Sequence, residues 1–362
     1  NDLQQVANVA RQMITKFGMS DKIGPVALGQ SQGGMFLGRD MSATRDFSED
    51  TAATIDVEVS ELVDIAYKRA TKVLTENRSV LDEMDGFKVV ADHDIDLIRP
   101  IDEPAEGLAN PVNYGLEKIG VTKVWNEFGY TGKGVTVGII DSGWAAHPDL
   151  DGKVILSKDF TGEFEGSGPN DFMGHGTHCM GIIGGGDASG TPIGVAPDVK
   201  FIVARIFPKE GSGKLSMILS AMQWMADPDG DFDTDDRPDL VSNSWGSSPQ
   251  TYTWQPVLRW KRVLNILPIF AAGNNGPRKR TISAPGGYPF VFAVGATDEN
   301  DKLAKFSSKG FSFYFRKKYT KPDVVAPGFK IYSTFLNGGY RYWSGTSMAT
   351  PFVSGVAALI LE

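Results

Sequence analysis

Cysteine and long apolar runs are scarce in this chain of 362 residues, and each scarcity excludes a class of structure. The single cysteine, Cys179, excludes an internal disulfide, so cysteine usage does not indicate a compartment. No run approaches the ~18 apolar residues of a transmembrane helix, and no basic segment followed by an apolar one indicates a signal peptide. We therefore expect no membrane partner for this chain. The chain begins with Asn1 instead of methionine, so we expect a start that was processed or cut.

Positive charge and histidine are also in short supply. Lysine and arginine total 36 against 44 acidic residues, which gives a net charge of −8 and a pI near 5.2. This balance argues against nucleic acid or an anionic membrane surface as a partner. No His-Glu-x-x-His string and no His-x-x-x-His pair would place two zinc ligands on one helical face, so a zinc protease is disfavoured. The four histidines are His93, His147, His175 and His178.

Three stretches of different character divide the chain. Residues 1–84 read as a small all-helical segment, because apolar side chains recur three and four positions apart. Residues 85–112 combine an alternating, strand-like run, FKVVADHDIDLIRP, with a linker rich in proline, glutamate and glycine. In residues 113–362, short apolar runs alternate with helical stretches. This alternation favours an α/β fold, with a parallel sheet covered by helices on both faces.

Motifs in the last stretch carry the chemistry of nucleophilic catalysis. Asp141 ends the apolar run VGIID, His175 opens a helix in GHGTHCMG, and Ser347 lies in SGTSMATP where a loop turns into a helix. A serine hydroxyl needs a neutral imidazole to accept its proton, and the imidazole needs a buried carboxylate to fix its tautomer. Asn274 in FAAGNNG adds a side-chain amide that can donate to a developing oxyanion.

Each of these residues alone has an ordinary structural explanation. A single aspartate, histidine or serine in a glycine-rich loop is usually a turn residue. The string HGTH, with His175 and His178, could also be a metal pair. Four motifs in this order outweigh those explanations. Cys179 follows His175 by four residues, so on a helix we expect the thiol beside the imidazole, although it could also be a buried small apolar residue.

Residues 113–362 resemble the subtilisin-type serine proteases, the subtilases. The chain order Asp, His, Ser is that of subtilisin, and the insertion DPDGDFDTDDRPD resembles the bacillopeptidase F branch. The resemblance implies a twisted parallel sheet between helices and endopeptidase activity on polypeptide substrates. It implies Asp141, His175 and Ser347 as the catalytic triad and Asn274 as the oxyanion donor.

The resemblance also implies a substrate cleft. Acidic residues are absent from the motifs that match its walls, so we expect a broad preference for apolar side chains. The resemblance further implies a secreted or extracytoplasmic location, and it leaves the oligomeric state open. The matching residues of the two substrate-pairing strands and the pocket walls are Ser244, Trp245, Gly246, Gly213, Ala271, Ala272 and Gly273.

Structural calcium is the cofactor that the resemblance implies. Asp149 in HPDL matches a ligand of the family's tight calcium site, and Asp187 lies in the partner loop, which lacks the family's usual asparagine. The acidic insertion is a second candidate because carboxylate oxygens suit calcium, and a solvated acidic loop explains it equally well. Its carboxylates are Asp227, Asp229, Asp231, Asp233, Asp235, Asp236 and Asp239.

Residues 1–84 resemble an unrelated family, the C-terminal helical part of the FtsH peptidase domain, through FLGRDMSATRDFSEDTAATIDVEVSELVDIAYKRATKVL. Asp2 matches the third zinc ligand of that family. The two histidines and the glutamate of the zinc site have no counterpart here, so we expect no functional zinc. We interpret residues 85–112 as a prodomain remnant and linker, and Glu362 as a truncation of the subtilase part.

Three hypotheses about function follow. The first is a serine endopeptidase that acts through the Asp-His-Ser triad and an acyl-enzyme. The second is an inactive chimeric or truncated fragment that has the triad residues and an incomplete fold. The third is a fragment of an ATP-dependent zinc metalloprotease, which the missing zinc motif and the missing phosphate-binding loop count strongly against.

Overall fold

A computed structural model describes most of the chain, namely residues 2–20, 22–26, 28, 47–76, 91–102, 113–164, 166, 168–210, 212–231, 233–246, 253–314 and 316–362. The chain divides into two compact units, Asn1–Val90 and Ala91–Glu362. Within the described ranges, no helix combines the length and the apolar character needed to cross a bilayer.

The first unit is helical, as the apolar periodicity predicts. It contains α1 (Asp2–Thr15) and α2 (Glu49–Glu76). The two helices share a small core in which Ile14 and Ile55 are each 1% exposed. Apolar residues three and four positions apart lie on one side of a helix, and this is why the two stripes can face each other.

The second unit is built from strands and helices that alternate along the chain. Its strands are β1 (Asp94–Leu97), β2 (Ile101–Asp102), β3 (Thr136–Asp141), β4 (Val154–Asp159), β5 (Lys200–Arg205), β6 (Gly213–Lys214), β7 (Leu240–Asn243), β8 (Trp245–Gly246), β9 (Leu267–Ala271), β10 (Phe292–Thr297), β11 (Gly310–Tyr314), β12 (Lys317–Lys321), β13 (Val324–Pro327), β14 (Ile331–Thr334) and β15 (Tyr340–Ser344). Its helices are α3 (Tyr114–Lys118), α4 (Val121–Phe128), α5 (His175–Gly184), α6 (Leu215–Trp224), α7 (Trp254–Arg262) and α8 (Thr346–Leu361), and Pro148–Leu150 and Leu336–Gly338 are short 3-10 turns.

A seven-stranded sheet forms the centre of the second unit. The strands lie in the order β13-β10-β9-β7-β3-β5-β4, and neighbouring strands run parallel. Helices α5 and α8 cover one face of the sheet, and α6 and α7 cover the other. Both faces of the sheet are covered, so successive residues of a strand are both buried. In β3, Ile139 packs against one face and Ile140 against the other, which explains why the strand is apolar throughout. The predicted α/β fold, with helices on both faces of a parallel sheet, is confirmed.

Two short strands outside the central sheet come from residues 94–102. β1 lies between β6 and β8 and pairs antiparallel with both. β2 pairs antiparallel with β15, which leads directly into α8. The strand predicted in FKVVADHDIDLIRP therefore exists, and it lies against the strands that were matched to a substrate cleft.

Candidate active site

Three element ends bring the predicted triad together. Asp141 is the last residue of β3, His175 is the first residue of α5, and Ser347 is the second residue of α8. Their exposed fractions are 2%, 1% and 0%. Asp141 Oδ1 lies 2.7 Å from His175 Nδ1, so the carboxylate holds the imidazole in one orientation.

The environment of His175 favours its protonated form. Burial lowers the pKa of the imidazole, but the Asp141 carboxylate and the nearby Cys179 raise it, and the net pKa lies well above 6.5. Because Asp141 occupies Nδ1, the proton for catalysis would enter at Nε2. This nitrogen is buried and makes no hydrogen bond to any described residue, so in the neutral imidazole it is open to accept a proton.

The Ser347 hydroxyl is turned towards the segment that follows β1. Its Oγ donates to the carbonyl oxygen of Ile98 at 2.7 Å and lies 3.4 Å from the carbonyl oxygen of Ser244. The hydroxyl is therefore in contact with a peptide carbonyl, and its bond to His175 is not made in this arrangement.

The Asn274 side chain is fixed by the residue that precedes Ser347. Its Oδ1 accepts from the backbone N–H and from the hydroxyl of Thr346, each at 2.9 Å. These two donors orient the amide, so that Nδ2 points into the cleft and donates to the carbonyl oxygen of Arg99 at 3.1 Å. The amide thus faces the cleft, one carbonyl beyond the oxygen that Ser347 contacts.

The strands matched to a substrate cleft hold residues of the chain itself. On one side Ile95 pairs with Gly213, and on the other Asp96 pairs with Gly246 and Leu97 with Trp245. The next residue continues the ladder, because the Ile98 N–H donates to the Ser244 carbonyl oxygen at 3.3 Å. Residues 94–98 are therefore an extended peptide bound between two strands, with the Ile98 carbonyl against Ser347.

The residues predicted to form the opposite wall of the pocket, Ala271, Ala272 and Gly273, lie at the end of β9 and directly after it. Ala271 and Ala272 are buried, and the Gly273 N–H donates to the Thr346 hydroxyl at 3.2 Å. Gly273 has φ +107°, and a Cβ there would lie 2.6 Å from the Ser283 hydroxyl, so a side chain would not fit.

Comparison with known proteins decides the family. Residues 132–362 match the model of the Subtilase family. The chain belongs to the subtilase family. Residues 1–90 match the model of Peptidase family M41, which confirms the second resemblance expected for the start of the chain.

Several bacterial proteases are similar to this subtilase. Serine protease AprX of Bacillus subtilis (strain 168) is 36% identical over 263 residues, which is 64% of this chain and 58% of the relative. Subtilisin DY of Bacillus licheniformis is 37% identical over 258 residues, 70% of this chain and 86% of the relative. Bacillopeptidase F of Bacillus subtilis (strain 168) is 38% identical over 278 residues, 69% of this chain and 19% of the relative. The chain thus spans less than two thirds of the length of two of these three relatives.

Asp171 is a residue of this site that the sequence motifs did not single out. Its Oδ1 accepts from the Ser142 hydroxyl at 3.0 Å and from the Gly174 N–H at 2.8 Å. Its Oδ2 accepts from the Thr177 N–H at 3.0 Å and from the Thr177 hydroxyl at 2.7 Å. Helix α5 begins after Gly174, which has no side chain to cap it, so Asp171 satisfies the first-turn N–H groups beside His175. The sequence did contain a signal for this role of Asp171, because an acidic residue lies three positions before a glycine at the N-cap of a helix.

Cys179 lies beside the His175 imidazole, as predicted. Its Sγ is 3.9 Å from His175 Nδ1 and 3.4 Å from the Ser347 carbonyl oxygen, and the side chain is buried. Burial raises the pKa of the thiol. The neutral thiol therefore packs as a small apolar group within reach of the triad.

Both carboxylate oxygens of Asp149 accept hydrogen bonds from the protein. Its Oδ1 accepts from the Ala188 N–H at 2.7 Å, and its Oδ2 accepts from the Tyr340 hydroxyl at 2.8 Å. Calcium needs six to eight oxygen ligands, whereas these neighbours present N–H and O–H donors to the carboxylate. Asp187 belongs to no group of three close histidine, cysteine or acidic side chains among the described residues. This geometry adds no support to Asp149 and Asp187 as a pair of calcium ligands, and the pair stays a prediction from the resemblance.

The acidic insertion brings three carboxylates together. Asp227, Asp229 and Asp236 each offer an oxygen, and these oxygens lie within 4.8 Å of one another. Asp227 Oδ1 is buried without a hydrogen-bond partner. Burial, and then the charge of the neighbouring Asp229, raises the pKa of Asp236. This donor set fits the oxygen chemistry of calcium, which would neutralise the mutual repulsion of the carboxylates.

Among the described residues, the group of three possible metal ligands that contains a histidine is Asp141, His175 and Cys179, which belong to the candidate active site itself. His178 Nε2 donates to the Arg341 carbonyl oxygen at 3.0 Å, and burial lowers the pKa of His178 to about 3. In HGTH, His178 is therefore a buried, hydrogen-bonded histidine three residues after His175. Asp2 begins α1, and its side chain lies outside the described part of the chain.

Proposed function

We propose that this subtilase is a serine endopeptidase that hydrolyses peptide bonds through an acyl-enzyme. The observation that supports it best is the bound segment of the chain itself. Residues 94–98 lie extended between two cleft strands, and the Ile98 carbonyl oxygen is 2.7 Å from Ser347 Oγ. This placement brings the Ile98–Arg99 bond beside the proposed nucleophile.

The chemistry begins with a rotation of the serine side chain. Ser347 Oγ turns from the Ile98 oxygen towards His175 Nε2, gives up its proton there, and attacks the Ile98 carbonyl carbon. Asp141 holds the Nδ1–H of His175 and stabilises the imidazolium that forms. The Asn274 amide, which Thr346 holds facing the cleft, is the side-chain donor available to the oxyanion. His175 then protonates the amine of Arg99, which leaves, and water releases the acyl group by the same steps.

The bound segment also supports a preference for apolar side chains. Ile98, whose carbonyl would be attacked, is 8% exposed, and Ile95, three residues before it, is 1% exposed. Each fully buried side chain of this size contributes about 1.5–3 kcal/mol of transfer free energy. Polypeptides with bulky apolar residues at these two positions are therefore the proposed substrates. A secreted or extracytoplasmic location stays a prediction from the family resemblance.

The first test uses the chain as its own substrate. The intact protein should yield fragments 1–98 and 99–362 by mass spectrometry, and Ser347→Ala should lower turnover on added peptides by ~10⁶. Ser354→Ala is the matched control, because Ser354 lies on the same helix and only donates to the Thr350 carbonyl oxygen. Peptidase activity that survives Ser347→Ala within tenfold would contradict the proposal.

A fluorophosphonate label separates this proposal from the second hypothesis, an inactive fragment. The label reacts quickly only with a serine that is activated by an assembled triad. We expect a covalent adduct on Ser347, and no adduct in the His175→Ala variant. An unlabelled Ser347 in a chain that melts cooperatively would favour the inactive fragment.

A further inference from the structure

The bound segment continues past the bond that faces Ser347. β2 pairs with β15, so that Ile101 lies opposite Ser344 and Asp102 lies opposite Trp343. Asp102 is the fourth residue after Ile98. A substrate that follows the same course would therefore place its fourth residue after the cleaved bond beside Trp343.

Trp343 presents a fixed hydrogen-bond donor at this position. Its indole Nε1–H donates to Asp102 Oδ1. The side chain is 6% exposed, and its ring is held between His178, at 4.9 Å between ring centroids, and Phe335, at 5.3 Å. An indole N–H can only donate, so an acceptor on the peptide is what this wall can recognise.

Arg341 adds positive charge to the same place. Its Nη1 lies 3.7 Å from Asp102 Oδ1, and its guanidinium stacks 4.2 Å from the centroid of the Phe335 ring. The stacking limits the motion of the side chain, so less freedom is lost when a carboxylate binds. The Arg341 side chain is 44% exposed and that of Asp102 is 77% exposed, so solvent screening keeps the attraction modest.

We propose that this cleft selects polypeptides that carry an acidic residue four positions after the cleaved bond, through Trp343 and Arg341. The inference rests on the proposed endopeptidase function and names part of its substrate class. An amide at this position could still accept from Trp343, but it would lose the attraction of Arg341. A lysine would lose the hydrogen bond and would face the guanidinium.

The first test compares matched peptides. Three quenched-fluorescence peptides carry the sequence of residues 92–102, with Asp, Asn or Lys at the last position. We expect kcat/KM to fall about fivefold from Asp to Asn and about tenfold or more from Asp to Lys, the range of an exposed charge-assisted hydrogen bond. Equal kcat/KM for the three peptides, within twofold, would overturn the inference and leave the endopeptidase function intact.

Variants of the protein then assign the selectivity to its residues. Arg341→Met keeps the aliphatic stem on Phe335 and should bring the preference for Asp over Lys down to about twofold, the remainder being owed to Trp343. Trp343→Phe should reduce the preference for Asn over Lys, because the part owed to the indole donor is lost while Arg341 still repels the lysine. The matched control is Arg262→Met, an exposed arginine on α7 of the opposite sheet face, which should leave all ratios unchanged. Because each result is a ratio of kcat/KM between two peptides, a general loss of activity cancels. An unchanged Asp-to-Lys ratio in Arg341→Met would refute the role of that residue.

A second measurement does not depend on catalysis. In a Ser347→Ala chain, which keeps its segment uncut, amide hydrogen exchange reports how firmly residues 101–102 pair with β15. We expect Asp102→Asn to raise the exchange rate there about fivefold and Asp102→Lys to raise it further. Identical exchange in the three chains would overturn the inference even if no peptide were cleaved.

Discussion

Replacing Asp171 with alanine should weaken the helix that carries the catalytic histidine. The carboxylate accepts five hydrogen bonds, from the Ser142 hydroxyl, the Met173 and Gly174 N–H groups, and the N–H and hydroxyl of Thr177. Alanine leaves these donors without an acceptor in a buried site, since Asp171 is 7% exposed. The N-cap residue of α5, Gly174, has no side chain that could replace the lost acceptor.

The magnitude follows from the number of orphaned donors. A hydrogen bond to a charged group contributes about 1.5–3 kcal/mol, but the values are not additive, and alanine also removes the desolvation cost of the carboxylate. A net loss of about 4 kcal/mol is therefore expected. For a domain of this size that corresponds to a fall in melting temperature of about 10 °C.

Activity should fall as well, mainly in kcat. The Ser142 hydroxyl still accepts the Gly176 N–H at 2.9 Å, so α5 keeps part of its cap. We therefore expect His175 to be displaced by about 1 Å and not to be lost from the site. A misplacement of about 1 Å costs about 10²-fold in rate, which sets the expected loss. Asp171→Asn should lose most of the same stability, because its NH₂ group would face N–H donors.

The assay combines calorimetry and kinetics. Melting is measured in the Ser347→Ala background to prevent self-digestion, and kcat is measured in the otherwise unaltered chain. The control is Asp198→Ala, because Asp198 is exposed and its side chain accepts one hydrogen bond, from the Thr131 hydroxyl. An Asp171→Ala chain that melts within about 2 °C of its parent and keeps kcat within threefold would refute this account of the helix cap.

Three further predictions concern pH, the thiol and calcium. Because the pKa of His175 is raised above 6.5 and the base must be neutral, kcat/KM should rise with pH through a pKa above 6.5; a pH–rate profile with its acidic limb below 6.5 would contradict this. Mercurials should inhibit through Cys179, and Cys179→Ala should remove that sensitivity; equal inhibition of both proteins would discard the idea. Millimolar calcium should raise the melting temperature relative to EGTA through the insertion, and Asp236→Asn should abolish the difference; identical melts of the unaltered chain in the two buffers would argue against the site.

The sheet and the triad could be predicted because local sequence marks the ends of elements. Asp141 follows an apolar run. His175 comes directly after Gly174 and Ser347 two residues after Gly345, each at the start of a helix. In an open parallel sheet the carboxyl ends of the strands and the following helix starts share one edge, so residues far apart in the chain meet there. The positions of the triad residues in the chain were therefore enough to predict their meeting.

The partner of the strand at residues 94–97 could not be predicted in the same way. Alternation in DIDLI indicates an extended segment, because every second residue is apolar. It contains no information about which edge the segment joins. Its partners, Gly213 and Trp245, follow it by more than 100 residues, and they accept it because their strands form the two sides of a cleft. Such pairing is a property of the folded surface and is not encoded in the pattern of the segment.

Asp149 shows most clearly why a matched residue does not predict a metal. Its identity and its place in HPDL agree with a calcium ligand, yet its oxygens are taken by Ala188, 39 residues away, and by Tyr340, 191 residues away. An ionised carboxylate accepts whichever donors or cations the fold brings to it, so one ligand carries no information about the rest of the set. A metal site is defined by the complete set of oxygens, and only three-dimensional proximity supplies that set. The insertion illustrates the converse, because Asp227, Asp229 and Asp236 converge within nine residues without matching any ligand of the family's tight site. Melting of Asp149→Asn and Asp236→Asn in calcium and in EGTA therefore decides which carboxylate binds calcium. Asp149 is the candidate from the sequence match, and Asp236 is the candidate from the convergence of three carboxylates. Geometry predicts that only Asp236→Asn loses the response to calcium.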